Sequence, residues 1–165
     1  MSSKHAKVGF WISTWWPVIL AVTVICMEST EFMGADHTAG PFRKITEFLF
    51  GPMSDAQLEV FHHHLRKCGH FLGYGLVGLS WLRAWLRVLP RRSFAFCATL
   101  ALTCTFLIAS GDEWHQSMLP NRTGMFRDVL LDTAGAVVLI LLDFLILFFF
   151  RRASLRVGLR ARSAR

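Results

Sequence analysis

Val129–Phe150 reads VLLDTAGAVVLILLDFLILFFF, a run with no basic residue and two acids, Asp132 and Asp143. A bilayer core about 30 Å thick needs ~20 consecutive apolar residues to be crossed as a helix, and this run has that length. A surface helix of a soluble domain would show a polar face at the ~3.6-residue period, and none recurs here. The run is therefore expected to span a membrane. Its two acids and its Gly135 then need a reason, because lipid offers them no partner.

Working outward, three more apolar blocks precede it. Phe94–Ser110 is FAFCATLALTCTFLIAS, Cys68–Leu89 is CGHFLGYGLVGLSWLRAWLRVL, and Phe10–Met27 is FWISTWWPVILAVTVICM. The composition agrees: 53% of the 165 residues are hydrophobic, with 15 Phe and 6 Trp against 1 Tyr. The expectation is an all-α integral membrane protein. It is a single domain over 1–165, a four-transmembrane-helix bundle with helices about 10–27, 68–89, 94–110 and 129–150. Lys4 and Lys7 precede the first block as they would a signal peptide, but the following ESTEFM holds no small-x-small cleavage site, so the first helix is expected to stay.

Basic residues set the orientation. Twelve of the 18 Lys and Arg fall before helix one, between helices two and three (Arg83, Arg87, Arg91, Arg92) or after helix four; six fall on the other side. The positive-inside rule then places both termini in the cytoplasm, in a multi-pass protein of the cell (inner) membrane. The tail 151–165 is read as a topology signal that touches anionic membrane lipids; no nucleic acid is expected, since no aromatic platform is interleaved. The connection 28–67 lies outside the cytoplasm. Within it PFRKITEFLF puts Phe42, Ile45, Phe48 and Leu49 on one helical face, suited to the membrane surface. Gly51-Pro52 breaks that helix, and SDAQ, Ser54–Gln57, is a capping box opening a second short helix toward Lys67.

Helical spacing then groups the polar residues. Asp128, Asp132, Gly135, Leu139 and Asp143 share a stripe of the last helix. Ala98, Leu102, Thr105, Ala109, Asp112 and Gln116 share one on the third, and Lys67, His70, Phe71, Tyr74 and Gly78 one on the second. Such small and polar stripes are what membrane helices turn toward one another. The ionisable members gather at one end of each stripe, so a polar cluster under the outer interface is expected, with Glu28 and Glu31 able to join from helix one. Asp143, deeper, is expected to be protonated or to hydrogen-bond Ser13 or Thr14. The four cysteines (26, 68, 97, 104) form no CxxC pair and are read as packing residues, not as a disulfide framework or a zinc site.

RKCGHFLGY (Arg66–Tyr74) followed by DEWHQSMLPNRTGMFRDVLLDTAG (Asp112–Gly135) resembles the VanZ-like family of small bacterial membrane proteins. The matching positions are Arg66, Lys67, His70, Phe71 and Tyr74, then Asp112, Glu113, His115, Gln116, Pro120, Arg122, Asp128, Asp132 and Gly135. The sequence departs from the pattern at Gly73, where members often carry an acid. The resemblance implies a four-helix cell-membrane protein. The name-giving member is linked to resistance to teicoplanin, a lipoglycopeptide antibiotic acting at the outer face of the cell envelope.

Two functional readings stand. In the first, a non-enzymatic envelope protein uses Lys67, His70, Tyr74, Asp112, Glu113, His115, Gln116, Arg122, Asp128 and Asp132 as a site for a lipid or cell-wall headgroup. Lys67 and Arg122 would pair with the aspartates, or the cluster would only hold the helices in register. In the second, a membrane-embedded enzyme acts on a lipid or cell-wall precursor with Asp112 and His115, three apart, as an acid–base pair. No nucleophile elbow or phosphate loop accompanies them. A metal site is not expected: consecutive His62, His63 and His64 point different ways on a helix, and DEWHQ lacks the second His of a zincin. No cofactor is expected.

Overall fold

The structure, a computed structural model, describes residues 3–30, 35–119 and 124–163, and their side chains except 3–4, 35–38 and 151–163. These residues form five helices: α1 Ser3–Glu28, α2 Ala35–Phe50, α3 Asp55–Val88, α4 Phe94–Ser117 and α5 Phe126–Ser163. Three are long and apolar enough to cross a membrane, over His5–Glu28, Phe94–Ser117 and Phe126–Phe150. The expected span 68–89 lies inside α3, which has the length but is interrupted by Arg66, Lys67, Arg83 and Arg87.

Local chemistry sets the ends. Ser54 caps α3 with the expected box: Gln57 N–H donates to Ser54 Oγ at 3.3 Å, and Ser54 N–H donates to Gln57 Oε1 at 3.1 Å. Ser93 caps α4 through Phe96 N–H. Gly51 ends α2 at φ 83°, a conformation that costs glycine nothing. Nothing breaks the chain between Ser54 and Leu89, so the short helix expected before Lys67 is instead continuous with the span. α2 carries Phe42 inward against Phe61 and His62, while Ile45, Phe48 and Leu49 are exposed. Arg43 ties α2 to Asp55 at 2.7 Å.

α3 is the hub and contacts all four other helices. Along α5 it runs parallel: Lys67 meets Asp128, His70 meets Asp132, and Leu82 shares a core cluster with Ile140. It is antiparallel to α4, with Tyr74 at Asp112 and Leu82 at Cys97 and Ala101. It is antiparallel to α1 as well, with Ile25 beside Tyr74 and Val77, and Ser13 at Arg83 and Arg87. The bundle is thus up-down-up-down in α1, α3, α4 and α5. The start of α1 lies at the Arg83 end, and α5 runs toward that end.

The packing is inside out relative to a soluble domain. The buried set is rich in small residues, Ala84, Cys97, Ala101, Ala109 and Ala136, beside Ile25, Tyr74, Val77 and Leu82, whereas Trp11, Ile19, Leu107, Leu141 and Phe149 are exposed. Between membrane helices there is no water to expel, so association rests on close backbone approach and polar contacts. The α3–α5 seam has backbone approach of this close kind. A Cβ on Gly135 would strike the Phe71 carbonyl oxygen and lie 2.9 Å from its carbonyl carbon. One on Gly78 would come within 2.7 Å of Ala136 Cβ.

Pro17 within α1 explains the two arginines of α3. Proline has no N–H, so the Ser13 carbonyl four residues back loses its helical partner. Arg83 Nη2 donates to that oxygen at 3.1 Å and Arg87 Nη1 at 3.4 Å, while Arg87 Nη2 donates to Ser13 Oγ at 2.9 Å. Trp15 packs edge-on against Trp81 and Trp85 at the same level. Combined Arg83→Ala and Arg87→Ala is expected to cost roughly 1 kcal/mol, the low end for a carbonyl left without a partner, because Ser13 is only half-buried. In a Pro17→Ala background, which restores the N–H, the loss should shrink by at least half. Equal losses in both backgrounds, read by thermal melting in detergent, would refute the pairing.

Asp143 is not beside Ser13 or Thr14, as the sequence suggested. Both hydroxyls donate to the Phe10 carbonyl, and Asp143 lines a cavity with Arg83 and Arg87 of α3. The parallel α3–α5 pairing puts these arginines, rather than α1, across from it.

Candidate functional site

The middle of α3, the end of α4 and the start of α5 enclose a cavity of about 120 Å³ lined by His63, Arg66, Lys67, His70, Glu113, Gln116, Met125, Asp128, Leu131 and Asp132. That is room for a few water molecules or one small polar group. α3 and α5 contribute on the faces their stripes dictate, whereas α4 adds Glu113, which lay outside its stripe. Lys67 and His70 are three apart on α3, Glu113 and Gln116 three apart on α4, and Asp128 and Asp132 four apart on α5, so each pair lies on one side of its helix.

Lys67 Nζ forms an ion pair with Asp128, with the side chains 29% and 19% exposed. Asp128 also sits in the first turn of α5, where the helix dipole favours an anion. One level deeper, His70 Nδ1 lies 3.6 Å from Asp132 Oδ1. Asp132 is 0% exposed, and neither of its oxygens has a hydrogen-bond partner among the described residues. A buried carboxylate left so costs free energy unless something else answers it.

Asp112 is held on two sides. The fully buried Tyr74 donates its hydroxyl to Asp112 Oδ2 at 2.9 Å, and Gln116 Nε2 donates to the same oxygen at 3.0 Å. Glu113 is turned inward by the start of α5: Met125 N–H donates to Glu113 Oε2 at 2.8 Å. The His70 ring stacks on Tyr74 with centroids 6.2 Å apart. His70, Asp112 and Glu113 each bring one ligand atom to within 4.8 Å of the other two. Earlier on α3, burial and then the nearby Arg66 push the His62 imidazole below its ordinary pKa.

The structure thus brings together Lys67, His70, Tyr74, Asp112, Glu113, Gln116, Asp128 and Asp132. It does not bring His115 in. His115 is exposed, and the polar partners of the Asp112 side chain are Tyr74 and Gln116 instead. Arg122 and Glu31 lie outside the described residues, and Glu28 at the end of α1 is described but does not line this cavity. Gly73 faces α1, with a Cβ there 3.0 Å from Ile25 Cδ1, so an acid at that position would meet α1 rather than the Asp132 cavity. His63 and Arg66 line the cavity although the sequence stripe did not include them. They sit one turn before Lys67 and His70, a relation that became readable only once α3 proved continuous.

A model of the VanZ/LLP1 family matches residues 13–150, a span that holds every pairing between helices described above. No curated protein and no solved structure matches the chain.

Proposed function

Because this chain belongs to the VanZ/LLP1 family, we propose that it is a four-span protein of the cell envelope that binds a polar headgroup at the outer ends of its spans. The headgroup would come from a lipid or a cell-wall precursor. Through it the protein would modulate susceptibility to lipoglycopeptides of the teicoplanin type. The observation that carries the reading is the cavity itself: cationic Arg66 and Lys67 and anionic Glu113, Asp128 and Asp132 line one small space among otherwise apolar helices. Ionisable groups at such positions are costly and mark binding sites or pathways more often than inert packing. Arg66 and Lys67 suit a phosphate or carboxylate, and the acids suit an ammonium, so a zwitterionic or phosphorylated headgroup meets both.

α3 is the fourth span in this reading. Its Arg83 and Arg87 are satisfied by α1, which lowers the cost of their apolar surroundings. The up-down-up-down order and the basic asymmetry then put both termini in the cytoplasm and the cavity toward the outer face. A reporter enzyme active only outside the cytoplasm, fused after Arg165, is expected to be silent, and one inserted after Gly51 active. The opposite pattern would move the cavity to the cytoplasmic side and remove the headgroup reading.

An enzyme built on Asp112 and His115 gains nothing from the geometry, since the two side chains serve different surroundings. His115→Gln is therefore expected to leave lipoglycopeptide sensitivity unchanged.

A further inference from the structure

We infer that His70, Asp112 and Glu113 form a binding site for one divalent transition-metal ion, of the zinc or manganese class, at the floor of the headgroup cavity. The inference goes beyond headgroup binding and does not depend on it, because a cation can be held here whether or not a lipid enters.

Three features support it together. The first is the donor set: one imidazole and two carboxylates reach within 4.8 Å of one another, from α3 and α4. Donors around a zinc ion at ~2.1 Å stand about 3.4 Å apart, so modest side-chain rotation closes the set. A mixed nitrogen and oxygen set favours a first-row transition ion over magnesium or calcium, which take oxygen ligands.

The second feature is the outer shell. Metal-ligating carboxylates and imidazoles are generally fixed by hydrogen bonds from behind. Asp112 Oδ2 accepts from Tyr74 and Gln116, so a metal would take its other oxygen, Oδ1. Glu113 Oε2 accepts from Met125 N–H, which leaves Oε1.

The third feature points to the ligand independently. Asp132 lines the same cavity, is 0% exposed, and has both oxygens without a hydrogen-bond partner among the described residues. His70 Nδ1 is aimed at it from 3.6 Å. A metal on the other ring nitrogen, Nε2, fixes the proton on Nδ1, where it can be donated to Asp132. That is the carboxylate–histidine–metal arrangement, and it gives the orphaned carboxylate its partner. Charge agrees in sign: the three acids Asp112, Glu113 and Asp132 face His70 at this level against one cation, Arg66, while Asp128 is already paired with Lys67. A remaining coordination position would open to the cavity, where a phosphate or carboxylate could complete the shell.

The test uses the full chain, purified in detergent without a polyhistidine tag, stripped with chelator and reloaded separately with Zn²⁺ or Mn²⁺. Elemental analysis after desalting is expected to find about one equivalent of one of these ions, and loading is expected to raise the melting temperature. Glu113→Gln and His70→Gln should each weaken binding at least tenfold and abolish the melting shift. Asp132→Asn should weaken it less, because it removes only the outer-shell acceptor. A variant with His62 and His64, which do not line the cavity, both changed to Gln should bind as the wild type does. If Glu113→Gln or His70→Gln fails to accumulate, the wild type and the double-His variant decide the matter alone. Absence of both stoichiometric metal and a melting shift in the wild type would overturn the inference. So would metal lost with the double-His variant, or retained unchanged in Glu113→Gln and His70→Gln. Failure here leaves headgroup binding standing, since that is read by retained lipid and not by metal.

Discussion

Gly135→Leu is expected to leave little assembled protein, and Gly135→Ala to lower the melting temperature sharply. The position has no room even for one carbon, because a Cβ there would strike the Phe71 carbonyl oxygen, part of the α3 backbone. A flexible side chain could move aside; a helix backbone moves only if the seam opens. Opening it would pull His70 from Asp132 and Lys67 from Asp128. The cost should therefore reach or exceed the top of the ~1–3 kcal/mol usual for overpacking. Gly69→Ala, where a Cβ meets nothing within 4 Å, is the matched control and should be silent. Melting in detergent and membrane abundance read both. A Gly135→Leu protein that melts like the wild type would mean that α3 and α5 do not meet on this face.

The second large effect is expected at the ion pair. Lys67→Met leaves Asp128 largely buried beside other acids, and the loss should be roughly 3 kcal/mol, the low end for breaking a buried pair since both groups retain some exposure. Asp128→Asn strands the lysine in the same way. The double variant Lys67→Met/Asp128→Asn removes both charges and should recover most of that stability, as neutral replacements of buried pairs commonly do. A double-mutant cycle with a coupling energy near zero would show that the pair does not form.

Much of this was legible beforehand, for physical reasons. A span of about 20 apolar residues has few alternatives, so the runs at Phe10, Phe94 and Val129 read directly as helices. The inward stripes were equally readable, because Asp128, Asp132 and Gly135 repeat at helical spacing and lipid excludes them from the other face. The capping box at Ser54 is a local signal and appeared as expected. What escaped the sequence depended on pairing between helices. Asp112 and His115 are neighbours on α4, yet only a partner helix decides which of them faces inward, and Tyr74 is opposite Asp112. Glu113 turns in because the backbone N–H of Met125, beyond a turn, meets it. Asp143 was expected to be protonated or to meet Ser13 or Thr14, and the parallel α3–α5 register instead set Arg83 and Arg87 across a cavity from it. The missing signal there was Pro17, which frees a carbonyl on α1 and so gives two arginines in an apolar block something to hold.

The family assignment and the helical bundle leave one claim to be tested above the others: that the cavity between α3, α4 and α5 binds a headgroup rather than only locking the helices together. The neutral pair variant separates the two, because it is expected to keep the fold while removing the cavity's lysine. The deciding measurement is mass spectrometry of the lipids and cell-wall precursors retained by wild type and by Lys67→Met/Asp128→Asn, purified identically at matched melting temperature. The expected result is a phosphorylated or zwitterionic species retained near one per protein by the wild type and depleted at least tenfold in the variant. Equal retention of the same species by both proteins, or no retained species in the wild type, would contradict the binding claim and leave the cluster a structural lock.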